Sequence, residues 1–333
     1  MTKRVKAAIP RREDAAVYTD LLWMTLPLLA FSTYLYGPRC LTLYGVALVT
    51  ANLCDRLVAL LRRRPFESRE FSNEAFAAML MMLMPASVSY YVVVVSVVAL
   101  VLVGKEAFGG YGAYIFHPTA VGYALAAISW PEQVCRYPQP FNYLPLIMTE
   151  EPTGLSESVF ATLRSNGIPN VSALNLFLGN YAGPMGASAV MILAAAALYL
   201  RVRRRLSLRA LGGFWGTYIL LFWIMPRLGG IPLSMPWEYL PERLEALIYE
   251  LLGGSVLFAG VFLLCDPYTV PKHPLSRLLF GIMLAIFTLF YSYYGSYEAG
   301  VCFAFLFANC VSGWVDRMVI RHGPGRGRKE ARA

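Results

Sequence analysis

Apolar runs of about the length of a membrane-crossing helix recur along nearly the whole chain, and a bilayer is the solvent such runs fit. A helix needs about 20 mainly apolar residues to cross the hydrocarbon core. Runs of this kind lie at residues 18–36, 40–61, 72–86, 87–104, 112–130, 182–200, 207–225, 246–265, 277–293 and 299–316. The third is short and ends at Pro85, so it reads as a re-entrant segment or as a helix extended by its polar start, Ser72-Asn73-Glu74. Only 15% of the 333 residues are charged, against about 25% in a soluble domain. The sequence therefore predicts an all-α polytopic membrane protein of about ten transmembrane helices. A cytoplasmic N-terminal segment (1–17) precedes a single transmembrane domain (18–316), and a basic cytoplasmic tail (317–333) follows it.

The basic residues test that count independently. With the N-terminus inside, segments 1–17, 62–71, 105–111, 201–206 with Arg209, 266–277 and 317–333 hold 23 of the 29 Lys and Arg. Five fall outside, namely Arg39, Arg136, Arg164, Arg227 and Arg243, and Arg56 sits beside Asp55 in the second run. Removing any one span would invert every later loop and destroy this bias, so both termini are expected on the cytoplasmic side. The net charge of +9 is then juxtamembrane charge, and nucleic acid is not implied. The N-terminus lacks the apolar core and cleavage site of a signal peptide. The six cysteines show no metal-ligand spacing and read as small hydrophobes. Ten spans allow two five-helix halves, which an odd number per half would force to be inverted. The connection at 131–181, expected outside, is long and carries Pro131, Pro138, Pro140, Pro145 and Pro152 in its first part, and a loop of this length is more often functional or disordered than idle.

Four segments are too rich in glycine, proline and polar residues for ordinary lipid-facing helix. The first runs from Gly104 to Gly112 and on through Phe116-His117-Pro118-Thr119. His117 reads equally as a satisfied histidine at a kink or as a ligand-facing group. The second, Glu151 to Ser158, has the hydroxyls and glycine of a tight turn or helix cap. The third links Gly253-Gly254 to Asp266-Pro267-Tyr268-Thr269-Val270-Pro271; Asp266 could cap the next turn or orient a cofactor or partner subunit. The fourth joins Glu298-Ala299-Gly300 to Asn309, whose amide suits helix packing. The Gly109-Gly110 and Gly253-Gly254 pairs are expected where helices or a ligand approach closely. No Walker loop, HExxH or GxSxG pattern occurs, and no catalytic or metal set is assigned. From pattern alone, a transporter and a redox subunit stand level.

In this order the same segments resemble the family of RnfD, from Rnf electron-transport complexes, and NqrB, from the sodium-translocating NADH:quinone reductase. The family's GKxxFGGxGxNxFNPA stretch reads GKEAFGGYGAYIFHPTA here, from Gly104 to Ala120. Its flavin-attachment motif, Ser/Thr-Gly-Ala-Thr, reads Thr153-Gly154-Leu155-Ser156, with leucine for alanine and serine for the acceptor threonine. The GG followed by DPYTVP at 266–271 and the closing EAGVCFAFLFANC complete the match. The resemblance implies a flavin-carrying membrane subunit that passes electrons across the membrane, coupled to Na+ or H+ transport, within a complex in the inner (plasma) membrane. It implies covalent FMN on Ser156, with Thr153 and Gly154 as its motif, attached by a flavin transferase on the outside face. Riboflavin near His117 is the further cofactor implied; Tyr111, Tyr114 and Phe116 are able to stack on its ring and read equally as interface aromatics. The remaining subunits of the complex and the lipid bilayer would be its partners. A cofactor-free transporter or channel-like protein sharing the inverted fold is the alternative.

Overall fold

The computed structural model describes residues 12–63, 71–147, 154–165, 167, 169–224, 240–295 and 298–322. Fourteen α-helices are described: α1 (Arg12–Tyr36), α2 (Arg39–Leu61), α3 (Ser72–Leu83), α4 (Tyr90–Ala99), α5 (Pro118–Ser129), α6 (Pro131–Val134), α7 (Val159–Arg164), α8 (Ala173–Leu178), α9 (Val190–Val202), α10 (Leu208–Ile224), α11 (Leu240–Leu252), α12 (Ser255–Phe262), α13 (Pro274–Tyr294) and α14 (Gly300–His322). Among the described residues there is no strand, only an isolated bridge between Tyr137 and Ser156. Each of the ten apolar runs carries a helix, but length and apolarity divide them. Five stretches can each cross a membrane: Ala15–Tyr36, Arg39–Leu61, Tyr90–Phe108, Pro274–Tyr294 and Gly300–Arg321. A sixth forms only if α11 and α12, bent by 55° at their break, are counted together.

Both faces of the long helices are apolar because one faces protein and the other lipid. In α1, Tyr18, Leu21, Leu28 and Leu35 are buried, while Trp23 and Tyr34 are exposed. The short helix α3 is different: every residue from Ala75 to Met84 is buried. At about 1.5 Å per residue it cannot span alone, and its last carbonyls need partners within the protein. The stretch before α9 supplies them. Met185 N–H donates to Met84 O at 3.0 Å, and Gly186 and Ala187 N–H donate to Met82 O at 3.0 and 3.1 Å. Gly186 is required for this approach, since a Cβ there would lie 2.4 Å from Met82 Sδ.

Two ends of the bundle can be told apart. At one, the loop end, buried Arg39 begins α2 and donates to Ala86 O, Pro145 O, Leu146 O and Val88 O at 2.8–3.1 Å. The Tyr90 ring lies 4.9 Å from its guanidinium carbon. At the other, the basic end, Arg203 and Arg205 hold buried Asp20 at 3.1 and 3.0 Å, and Arg62 holds Glu106 at 2.8 Å.

The expected close approaches at the glycine pairs are corrected in part. Gly109, Gly110 and Gly254 have φ of +123°, +91° and +114°, so backbone conformation rather than contact demands glycine there. The tightest helix crossing is that of α10 and α13, where a Cβ on Gly281 would meet Ala210 O at 2.3 Å and one on Gly213 would meet Leu278 O at 2.6 Å. Gly281→Ala is therefore expected to destabilise by about 3 kcal/mol through overpacking. Gly216→Ala meets nothing within 4 Å and should be neutral or stabilising by up to about 1 kcal/mol. Thermal unfolding in detergent separates the two.

Candidate functional site

The residues singled out by sequence fall into two clusters at opposite ends of the bundle. At the basic end, His117, Tyr114 and Asp266 come together with Tyr18 of α1, which pattern reading missed. Tyr18 and Tyr114 hydroxyls lie 2.6 Å apart, and each is 2.8 Å from Asp266 Oδ1. Thr269 donates to Asp266 Oδ2 through its N–H (3.1 Å) and its hydroxyl (2.6 Å). Asp266 thus caps the turn that follows it and also ties α1 to the segment before α5. Its proline-bounded DPYTVP stretch holds the carboxylate at the end of the broken α12 path.

Edge-on rings surround this network. Phe76 touches Tyr18, Tyr114 and His117 at centroid distances of 5.3, 5.7 and 5.3 Å. Tyr268 touches Tyr111 and Tyr114 at 5.4 and 5.8 Å. Buried Lys105 donates to Ser72 Oγ and Asn73 Oδ1 at 2.7 and 3.1 Å and lies 5.6 Å from the Tyr111 ring. Phe116 lies apart from these rings, paired with Phe108 at 5.5 Å. His117 is fully buried, between Phe76 and Phe305 (5.8 Å). Among the described residues neither of its ring nitrogens has a hydrogen-bond partner, and the same holds for both amide atoms of buried Asn309, one helical turn beyond Phe305. Buried polar groups normally find partners, so each of these two side chains is available to a polar group of a ligand.

The second cluster is at the loop end. Tyr137 and Ser156 exchange backbone hydrogen bonds at 3.0 and 2.9 Å, forming the bridge. Among the described residues the half-buried Ser156 hydroxyl reaches only Tyr137 O, at 3.5 Å. Gly154 has φ +82° and nothing within 4 Å of its Cβ position. The Ser156 hydroxyl is thus nearly unengaged among the described residues, as an esterification site requires. Thr153 lies outside the described residues. Ser158, two residues on, is fully committed: it caps α7 by accepting from Ala161 N–H at 3.0 Å and bonds the Glu298 carboxylate. Glu298 anchors the loop further, since Ser255 donates to its carbonyl at 3.5 Å. The neighbouring Ala299 N–H donates to Tyr123 Oη at 3.3 Å.

Burial pushes Glu298 up to about 7, against the pull of Ser158 and Arg164, with Glu157 adding to the rise. A carboxyl whose value rises on folding favours the folded loop below its ordinary range and loses that contribution as pH climbs to about 7. The change amounts to roughly 3 kcal/mol. Amide protection factors in α7, corrected for the intrinsic rise of exchange with pH, are therefore expected to fall between about pH 5 and pH 8. Glu298→Gln should remove that fall. Protection factors that stay flat across the range in the unmodified protein would refute the anchor.

A broken-helix, multi-pass membrane protein with a loop-borne hydroxyl site is the class these features define. The chain belongs to the NQR2, RnfD, RnfE family, whose model matches residues 10–324. It is similar to the D component of the ion-translocating oxidoreductase complex of Actinobacillus pleuropneumoniae serotype 5b, 26% identical over 92% of this chain and 94% of the relative. The same component from Haemophilus influenzae strain PittEE is 26% identical over 93% and 95%. That of Mannheimia succiniciproducens is 24% identical over 89% and 90%.

Proposed function

We propose that the chain is the flavin-carrying membrane subunit of an Rnf/Nqr-type complex, passing electrons across the membrane coupled to Na+ or H+ movement. Family membership and the relatives' names support a subunit of an ion-translocating oxidoreductase. The observation that carries the flavin reading is Ser156, fixed by its backbone bridge while its hydroxyl stays nearly unengaged. FMN esterified at that oxygen by a flavin transferase would supply one- and two-electron chemistry, which the protein insulates and positions. Around it the chain contributes the Tyr137 bridge, the positive φ of Gly154, the expected Thr153, and the Ser158–Glu298 anchor. At the basic end, the unpartnered His117 and Asn309 support a second, non-covalent flavin such as riboflavin, with Tyr114 and Asp266 holding the wall behind it. Flavin fluorescence that stays on the denatured polypeptide after coexpression with a flavin transferase is the expected result. Its absence would return the cofactor-free transporter to first place.

The same reading has about ten transmembrane segments, α3 among them as a short or re-entrant one, arranged as two inverted five-helix halves in the inner (plasma) membrane, with both termini cytoplasmic and the Ser156 loop outside. The alternation of basic residues supports it. Reporter fusions after Arg205 and Arg321 are expected to read cytoplasmic, and a fusion at Ser165 to read outside. A cytoplasmic reading at Ser165 would overturn the span count and the flavin side together.

A further inference from the structure

A buried carboxyl without an ion pair among the described residues marks the break between α11 and α12. Glu250 is 1% exposed and sits in the last turn of α11, three residues before the Gly253-Gly254 break. Tyr218 of α10 donates to Oε1, and Tyr293 of α13 donates to Oε2 at 3.1 Å. Phe222, Ala246 and Leu289 form an apolar cluster against Tyr293 beside this group. Among the described residues no Lys, Arg or His forms an ion pair with Glu250.

Such a group is expensive. An uncompensated carboxylate in an apolar interior costs several kcal/mol, and an apolar side chain of similar volume would pack more stably. Intramembrane carboxyls are accordingly rare and tend to mark ion or proton paths. The partners here suit a group that changes its proton count. A hydroxyl both donates and accepts, so either tyrosine can turn its hydrogen towards a carboxylate or accept from a carboxylic acid while the heavy atoms stay put. A guanidinium or ammonium partner could satisfy only the charged form.

Position strengthens the case. Tyr293 also contacts the Phe160 ring of α7 at 6.3 Å, and α7 begins at Ser158, which bonds Glu298. Glu250 and Glu298 therefore flank the short helix that follows the Ser156 loop, and both are hydrogen-bonded by hydroxyls. Na+ demands several oxygen ligands, whereas Glu250 is met among the described residues by two tyrosine hydroxyls.

We propose that Glu250, with Tyr218 and Tyr293, is a proton-binding site at the helix break, loaded and unloaded during ion translocation at the loop end. This rests on the electron-transport reading for its role, but not for its existence as a site. The proton moves between carboxyl oxygen and water or an adjacent hydroxyl, with no other bond made or broken.

The test uses the whole purified complex in liposomes. An apolar carbodiimide adds to a carboxyl in its protonated form, so peptide mass spectrometry should find the adduct on Glu250. Its yield should fall as pH rises and stay unchanged when Na+ replaces choline. No adduct at any pH, or protection by Na+, overturns the proton site. Glu250→Gln keeps an acceptor for Tyr218, so electron transfer should continue while electron-driven proton movement is lost. Unchanged proton movement in the variant overturns the inference, whereas a wild-type complex that moves no ions at all sinks the electron-transport reading instead.

Discussion

Ser156→Ala is expected to leave the protein folded and wholly without covalent flavin. The hydroxyl makes only a 3.5 Å contact with Tyr137 O, near the limit of a hydrogen bond, so its removal should cost at most about 0.5 kcal/mol. The backbone bridge to Tyr137 stays intact, because it uses no side-chain atom. Loss of the adduct is all-or-none, since no other hydroxyl in the described part of the motif is free to replace it. Ser158 bonds Glu298 and caps α7, and moving it would release both anchors. Ser156→Thr should preserve or raise attachment, and Thr153→Ala should lower the yield without abolishing it. Peptide mass spectrometry reads all three. An adduct on Ser158 would relocate the site, and no adduct even with Ser156→Thr would end the carrier reading for this loop.

The largest structural loss should come from Arg39→Leu. The guanidinium gathers carbonyls from two separate segments, Ala86 and Val88 after α3 and Pro145 and Leu146 in the long loop. Arginine's planar fork with five donors reaches acceptors in several directions, which lysine's single ammonium cannot. Leu146 O retains the Tyr90 hydroxyl at 2.7 Å and the exposed Pro145 can turn its carbonyl to water, which leaves the buried Ala86 and Val88 carbonyls to lose a donor. At about 1–3 kcal/mol per buried orphan, with some relaxation, the variant should lose roughly 4 kcal/mol. Arg39→Lys should recover a minor part. The measurement is thermal unfolding in detergent together with protease sensitivity of the loop at 131–165. An Arg39→Leu protein that melts like wild type would show that these carbonyls find water instead.

Sequence alone carried the broad architecture. Apolar length, the alternation of basic residues and the order of four glycine- and proline-rich segments defined an all-helical membrane chain and its family resemblance. They did so because lipid imposes a strong, local demand that every run must meet by itself. Among the described residues the structure divided those runs into five helices long and apolar enough to cross, six with the bent pair, and several shorter apolar ones, because a short helix such as α3 survives only when another segment satisfies its end. That dependence on Met185, Gly186 and Ala187 is not local, and nothing in residues 72–86 announces it.

The candidate sites divide in the same way. Ser156, Gly154, His117 and Asp266 were legible as residue types in a pattern, and the loop's serines were visible in the sequence. Tyr18 was not, since it lies 248 positions from Asp266 in an otherwise ordinary first helix. Glu250 passed unremarked within the apolar run at 246–265, and only the meeting of α10, α11 and α13 enclosed it. Arg39 read as a lone basic residue outside, but the fold turned it inward against four carbonyls. Local chemistry and the bilayer's demand are written along the chain. Which buried donors and acceptors meet depends on long-range packing, and that was decided by the tertiary structure.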